Sequence, residues 1–114
     1  MSKFLVYAGD VLVGVSALEQ GDPPMGVAFG SLIPVAAYDR IRAECVANHA
    51  DQTGLNLCVT TAEGVSIQCA GVAILDCGLE GEPPEVNVLG ISHPPYGELF
   101  PAHVVAYEAL FRAR

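Results

Sequence analysis

Residues 54–78, GLNLCVTTAEGVSIQCAGVAILDCG, carry the clearest structural pattern in the chain. Apolar and polar residues alternate over 55–60 and again over 65–69, and a glycine lies between the two runs. A period of two with β-branched residues is typical of β-strands, so the stretch predicts a hairpin. A three-residue loop, 62–64, puts Gly64 where a left-handed backbone is needed. It also pairs Val59 with Ile67, so the apolar side chains share one face.

The second run then changes phase, because Ile67 is an odd position whereas Val72 and Ile74 are even. One extra residue near Ala70-Gly71 restores the alternation, and glycine is a usual place for a β-bulge. We therefore predict one long bent strand over 65–75, at the centre of a curved sheet.

The first twenty residues predict a second hairpin. Residues 4–8 and 11–18 are apolar, and Gly9-Asp10 between them fits a tight turn. Pairing Ala8 with Val11 places Val6 opposite Val13 and Phe4 opposite Val15.

Strand character returns over 26–33 and 86–91, and two helices are predicted after Pro34 and Pro101 from apolar residues at helical spacing. Tyr38 and Tyr107 lie in the middle of these apolar stripes and are expected to anchor the helices in the core. The sequence thus predicts an α+β fold in one domain, residues 1–114. We expect a single curved, mainly antiparallel sheet of about five to six strands with two helices packed on one face.

Composition limits the classes of partner. Thirteen Asp and Glu residues against five Lys and Arg give a net charge of −8, which argues against a nucleic-acid surface. The charge suits a basic protein partner, or simply a solvated surface. No apolar run is long enough to span a membrane, so we expect no membrane partner. Homo-oligomerisation stays open.

The four cysteines form no C-x-x-C pair, and the three histidines lack the H-x-x-x-H spacing of metal sites. We therefore predict no metal and no cofactor. Buried free thiols in a reducing cytoplasm are the favoured interpretation of the cysteines, which predicts a cytoplasmic protein.

Three loops contain Pro-Pro and are the most distinctive local feature. Proline stiffens a loop, so an apolar residue that protrudes from it binds with little loss of entropy; Met25 and Tyr96 are in this position. The second of these loops, 78–85, carries Glu80, Glu82 and Glu85 without a cation and is predicted to contact a basic partner. In the simpler interpretation, these loops are stiff, solvated connections.

These features favour a small acidic protein without catalytic activity: a protein-binding accessory, an adaptor or a toxin-neutralising module. The alternative is a small enzyme or ligand-binding domain with a pocket between sheet and helices. In that alternative His93 is the base, with Asp22 or Glu98 as the carboxylate that orients it.

Overall fold

The structure, a computed structural model, describes residues 3–112, which form eight strands and three α-helices. The α+β class predicted from the sequence is confirmed. The strands are β1 (Phe4–Ala8), β2 (Val11–Ser16), β3 (Gln20–Asp22), β4 (Val27–Ser31), β5 (Ile33–Pro34), β6 (Leu57–Thr61), β7 (Gly71–Leu75) and β8 (Glu85–Leu89). The helices are α1 (Arg42–Ala47), α2 (Tyr96–Leu99) and α3 (Pro101–Arg112), and 3₁₀ turns cover Pro23–Met25, Ala36–Arg40 and Thr53–Leu55.

The strands form two four-stranded sheets, and the prediction of a single sheet is wrong. The strand order is β5-β2-β1-β6 in the first sheet and β3-β4-β8-β7 in the second, and all pairs are antiparallel. Each sheet joins segments far apart in sequence, because β1 pairs with β6 and β4 pairs with β8.

The central hairpin has the predicted register, but its second strand is not continuous. Ile67 N–H donates to the Val59 carbonyl at 2.9 Å, Thr60 pairs with Ser66, and Gly64 has a φ of 90°. Beyond this point the chain leaves β6, and from Gly71 it pairs with β8 in the second sheet. The phase change at 70–71 therefore marks a passage between two sheets, and β6 and β7 are outer strands of the two sheets.

The first hairpin also differs from the predicted register. Ala8 pairs with Val11 as expected, but Val6 pairs with Gly14, which leaves Val13 as an extra residue on β2. A Cβ at position 14 would lie 2.7 Å from Leu32 Cδ1. The bulge thus places a glycine where Leu32 approaches the sheet, while Val13 still reaches the core.

The helices after the two proline positions contact different strands. α1 contacts β7 and α3 contacts β3, which are the two outer strands of the second sheet. Pro34 belongs to β5, so the first helical turn begins two residues later, at Ala36, whereas α3 begins at Pro101 as predicted. Tyr38 is fully buried, but Tyr107 is only half-buried, and no residue of α3 is buried.

The core joins both sheets. Val6 and Val59 from the first sheet and Ile74 and Val88 from the second belong to one buried apolar cluster. Within residues 3–112, no helix is long and apolar enough to cross a membrane.

Candidate functional site

A largely apolar cavity lies beside α3. It encloses about 720 Å³ between β3 and α3, and its apolar lining includes Phe29, Ala106, Tyr107 and Leu110. Glu19, Asp22 and His103 add polar groups. We call these seven residues the α3 groove. It exists because β3 is a three-residue outer strand with every residue exposed, and α3 lies against it without being covered on its other sides.

A tyrosine–histidine pair borders the α3 groove. Tyr96 Oη lies 2.8 Å from the Val27 carbonyl oxygen and 2.8 Å from His103 Nδ1. The Phe100 ring stacks on the imidazole, with centroids 4.7 Å apart and planes within 1° of parallel. A Cβ at Gly21 would lie 2.5 Å from His103 Nδ1 and would overlap Tyr96 Oη. Only glycine lets β3 approach this pair so closely.

The two hydrogen bonds of Tyr96 determine the tautomer of His103. A carbonyl oxygen can only accept, so the single hydroxyl proton of Tyr96 is donated to Val27. In the neutral imidazole, Nδ1 must then carry the proton and donate it to Tyr96 Oη, which leaves a lone pair on Nε2. Nε2 has no hydrogen-bond partner in residues 3–112, and no buried side-chain nitrogen or oxygen there lacks one. Nε2 is therefore open to solvent.

The electrostatics of the site suit this arrangement. Burial, together with the negative charge of Asp22, raises the pKa of Tyr96 to about 12, so its hydroxyl keeps its proton at neutral pH. Glu19 and His103 also line a second cavity, of about 300 Å³, at the start of α3. None of the Lys and Arg residues from Lys3 to Arg112 lines either cavity, so the carboxylates there are not neutralised locally.

The structure brings some of the predicted catalytic candidates to this site and leaves others apart. Asp22 lines the α3 groove, but His93 is exposed, and its backbone pairs with Gln68. Glu98 lines a different cavity, of about 660 Å³, together with Lys3 and Glu63. Among residues 3–112, no side-chain hydrogen bond joins His93 to Asp22 or to Glu98.

The predicted contact residues are also in different places. Met25 is 67% exposed in a turn that contacts α3, whereas the Tyr96 hydroxyl is directed inward to Val27. Glu80, Glu82 and Glu85 are exposed. Glu80 and Glu82 line a separate cavity of about 620 Å³ together with Arg42, a cation that the sequence of the loop did not reveal.

A second polar cluster, around α1, is centred on a buried carboxylate. Tyr38 Oη donates to Asp76 Oδ2 at 2.7 Å, and Gly78 N–H donates to Asp76 Oδ1 at 2.8 Å. Arg42 Nη1 lies 3.4 Å from the same carboxylate, and its guanidinium lies 4.8 Å from the Tyr38 ring centroid. Asp76 is 2% exposed, so its carboxylate has a structural role and is not accessible to a ligand.

The sequence did not single out His103, although a weak signal exists. Tyr96 and His103 flank the start of α3 at Pro101. Gly21 lies within β3 and does not have the positive φ that would require a glycine there. Only the contact between these distant segments reveals the pair. The structure holds no group of three or more His, Cys, Asp or Glu side chains suited to a metal ion within residues 3–112.

Comparison of the chain with protein-family models, with curated proteins and with solved structures gives no match.

Proposed function

We propose that the protein is a non-catalytic protein-binding module, an accessory or adaptor protein whose partner is basic and partly apolar. One observation carries the proposal: α3 exposes large apolar side chains without burying any residue. Val105 is 67% exposed, Leu110 65% and Phe111 57%.

These three side chains do not share one side of the helix. At about 100° per residue, Val105, Leu110 and Phe111 are separated from one another by about 100–140° around the helix axis. A helix that is apolar all round is normally buried, whereas a surface helix keeps its apolar residues in one stripe. α3 therefore has the composition of a covered helix, which supports a partner on its open sides. Met25 adds an exposed apolar side chain on the turn that contacts α3.

The charge distribution supports a basic partner. The chain carries a net charge of −8, and Glu80, Glu82 and Glu85 are exposed on or beside the stiff loop that precedes β8. Such a surface speeds the encounter with a cationic protein, and salt screens the effect. We also propose a cytoplasmic location, which is supported by the four cysteines, since all are free thiols. The expectation that these thiols are buried is correct only for Cys45, because Cys58 and Cys69 are half-buried and Cys77 is exposed.

Affinity capture from native cells tests the proposal, with retained proteins quantified by mass spectrometry. The variant V105A/L110A/F111A removes apolar surface from exposed positions and keeps helix-forming residues. We expect it to fold and to retain at least about tenfold less partner, a loss of about 1.4 kcal/mol. The charge-neutral variant E80Q/E82Q/E85Q should retain the partner at high salt but bind it more slowly at low salt.

The proposal is wrong if the triple alanine variant, shown to be folded by circular dichroism, captures the same proteins in the same amounts. A second copy of this chain as the main captured protein would also contradict it, because the partner would then be acidic.

The alternative, a small enzyme or ligand-binding domain with His93 as base, has less support. His93 is exposed and lies outside the α3 groove, and its side chain has no carboxylate partner within residues 3–112.

A further inference from the structure

We infer that the α3 groove binds a lysine side chain of the protein partner, whose ammonium donates to His103 Nε2 and to the carboxylate of Glu19. This inference rests on the proposed function and adds the chemistry by which one site recognises the partner.

The first step is the acceptor at Nε2. The bond chain from His103 Nδ1 to Tyr96 Oη and on to the Val27 carbonyl leaves Nε2 unprotonated in the neutral imidazole. The Phe100 ring, stacked on the imidazole, holds the orientation of the ring. This lone pair faces solvent and has no partner in the described chain, so it can accept a hydrogen bond from an N–H or O–H donor of a ligand.

The second step is the sign of the ligand's charge. Glu19 Oε1 accepts a hydrogen bond from Ser31 N–H at 2.7 Å, and Gly30 leaves room for the carboxylate because it has no Cβ. The carboxylate is thus held in place by backbone, while Glu19 and His103 line both cavities beside α3. Asp22 adds a second negative charge to the groove. A cationic donor is favoured over a neutral one, because no lysine or arginine between residues 3 and 112 lines these cavities.

The third step is the body of the ligand. Phe29, Ala106 and Leu110 line the groove with apolar surface that matches the methylene stem of a lysine. Arginine fits less well, because its planar fork prefers a carboxylate with both oxygens free, and Ser31 already occupies Oε1 of Glu19.

The test uses hexylammonium as the probe, with 1-hexanol and hexanoate as matched compounds of the same length. Labelled protein at about pH 8, where imidazole is mostly neutral, allows the tautomer of His103 to be read from its ¹⁵N chemical shifts. We expect the Nδ1–H tautomer. Hexylammonium should change the chemical shifts of His103 Nε2 and of the Gly21 and Ala106 amides. Hexanol should bind at least about tenfold more weakly, and hexanoate should not bind.

Two variants separate the acceptors from the fold. H103N retains a donor near the position of Nδ1 for Tyr96 but removes Nε2, and E19Q retains the acceptor for Ser31 but removes the charge. Each should weaken hexylammonium binding at least about tenfold, a change of about 1.4 kcal/mol. E98Q, which neutralises an exposed carboxylate in a different cavity, should leave binding unchanged.

The inference is overturned if Nε2 carries the proton in the neutral ring, or if hexanol binds as tightly as hexylammonium. It is also overturned if the NMR signals of the groove residues shift with protein concentration alone, because a second copy of the chain would then occupy the groove. These results are distinct from failure of the proposed function. If V105A/L110A/F111A abolishes capture while hexylammonium leaves His103 unperturbed, the binding module stands and the lysine site does not. If the amine binds the groove while capture is unaffected by that variant, the proposed function fails.

Discussion

Asp76 is an almost fully buried carboxylate that connects α1 to the segment after β7. Burial disfavours its ionised form, but the bonds from Gly78 N–H and Tyr38 Oη and the charge of Arg42 outweigh this effect, so the pKa of Asp76 lies below its ordinary value. The same contacts act in the opposite direction on the phenol: burial and the hydrogen bond to Asp76 raise the pKa of Tyr38. Asp76 therefore stabilises the fold in its charged form.

The lowered pKa of Asp76 determines how stability depends on pH. Because the pKa is lower in the folded state, the contribution of Asp76 is complete above its unfolded value near 3.8 and is lost as pH falls below it. We expect D76N to lower the free energy of unfolding by about 2 kcal/mol at neutral pH, since bonds to a buried charge are lost. Urea titrations at several pH values should show a smaller loss of stability for D76N than for wild type on acidification.

The matched control is D39N. Asp39 also contacts Arg42, but its side chain is 77% exposed, so stability should change by less than about 0.5 kcal/mol. Equal effects of D39N and D76N would show that burial does not determine the strength of these contacts.

Gly21 is a residue at which a single methyl group should have a large effect. A Cβ there would overlap Tyr96 Oη and lie 2.8 Å from the Val27 carbonyl oxygen. We expect G21A to cost about 1–3 kcal/mol of stability through overpacking and to separate Tyr96 from His103. Loss of the Nδ1–H tautomer in the ¹⁵N spectrum measures the second effect. G71A is the control, because no atom beyond its chain neighbours lies within 4 Å of its Cβ position.

At the scale of elements, Gln52 closes the free edge of β7. Its side-chain amide donates to the Ile74 carbonyl and accepts from Ile74 N–H, both at 2.7 Å, as a neighbouring strand would. The same Nε2 also donates to the Asn48 carbonyl at 3.0 Å, just after α1. One side chain thus satisfies an outer strand and ties it to the end of a helix.

Removal of this amide should loosen that edge. We expect Q52L to lower the free energy of unfolding by at least about 2 kcal/mol, because it leaves two buried backbone groups of Ile74 unpaired. Hydrogen exchange should quicken at the Ile74 amide. Q20A, at an exposed position of β3, serves as the control and should change neither quantity. Unaltered protection of Ile74 in Q52L would contradict the assigned role.

At the scale of the whole molecule, one core is shared by both sheets. Val6 and Val59 contribute from the first sheet and Ile74 and Val88 from the second, and the chain crosses between the sheets over 68–70. We expect the sheets to unfold together, in keeping with the prediction of a single domain. Far-ultraviolet circular dichroism and tyrosine fluorescence, which is usable because the chain has no tryptophan, should give coincident urea transitions. Two separated transitions would refute the single domain.

The sequence by itself determined what depends on near neighbours. The register of the central hairpin followed from the alternation around Gly64, and the start of α3 followed from Pro101, because turn geometry and helix initiation are local. The acidic character of the surface followed from composition alone.

Only the tertiary structure decided how these elements meet. A bulge and a passage between sheets give the same phase change at 70–71, since alternation reports which side a residue faces and not which strand it pairs with. Tyr38 and Tyr107 occupy similar apolar stripes, but only Tyr38 is covered, because Asp76 and the core close over it. The α3 groove could not be predicted for the same reason. Its imidazole is oriented by Val27, Tyr96 and Gly21, and the hydrogen bond between Tyr96 and Val27 joins residues 69 apart, which has no signature in either segment.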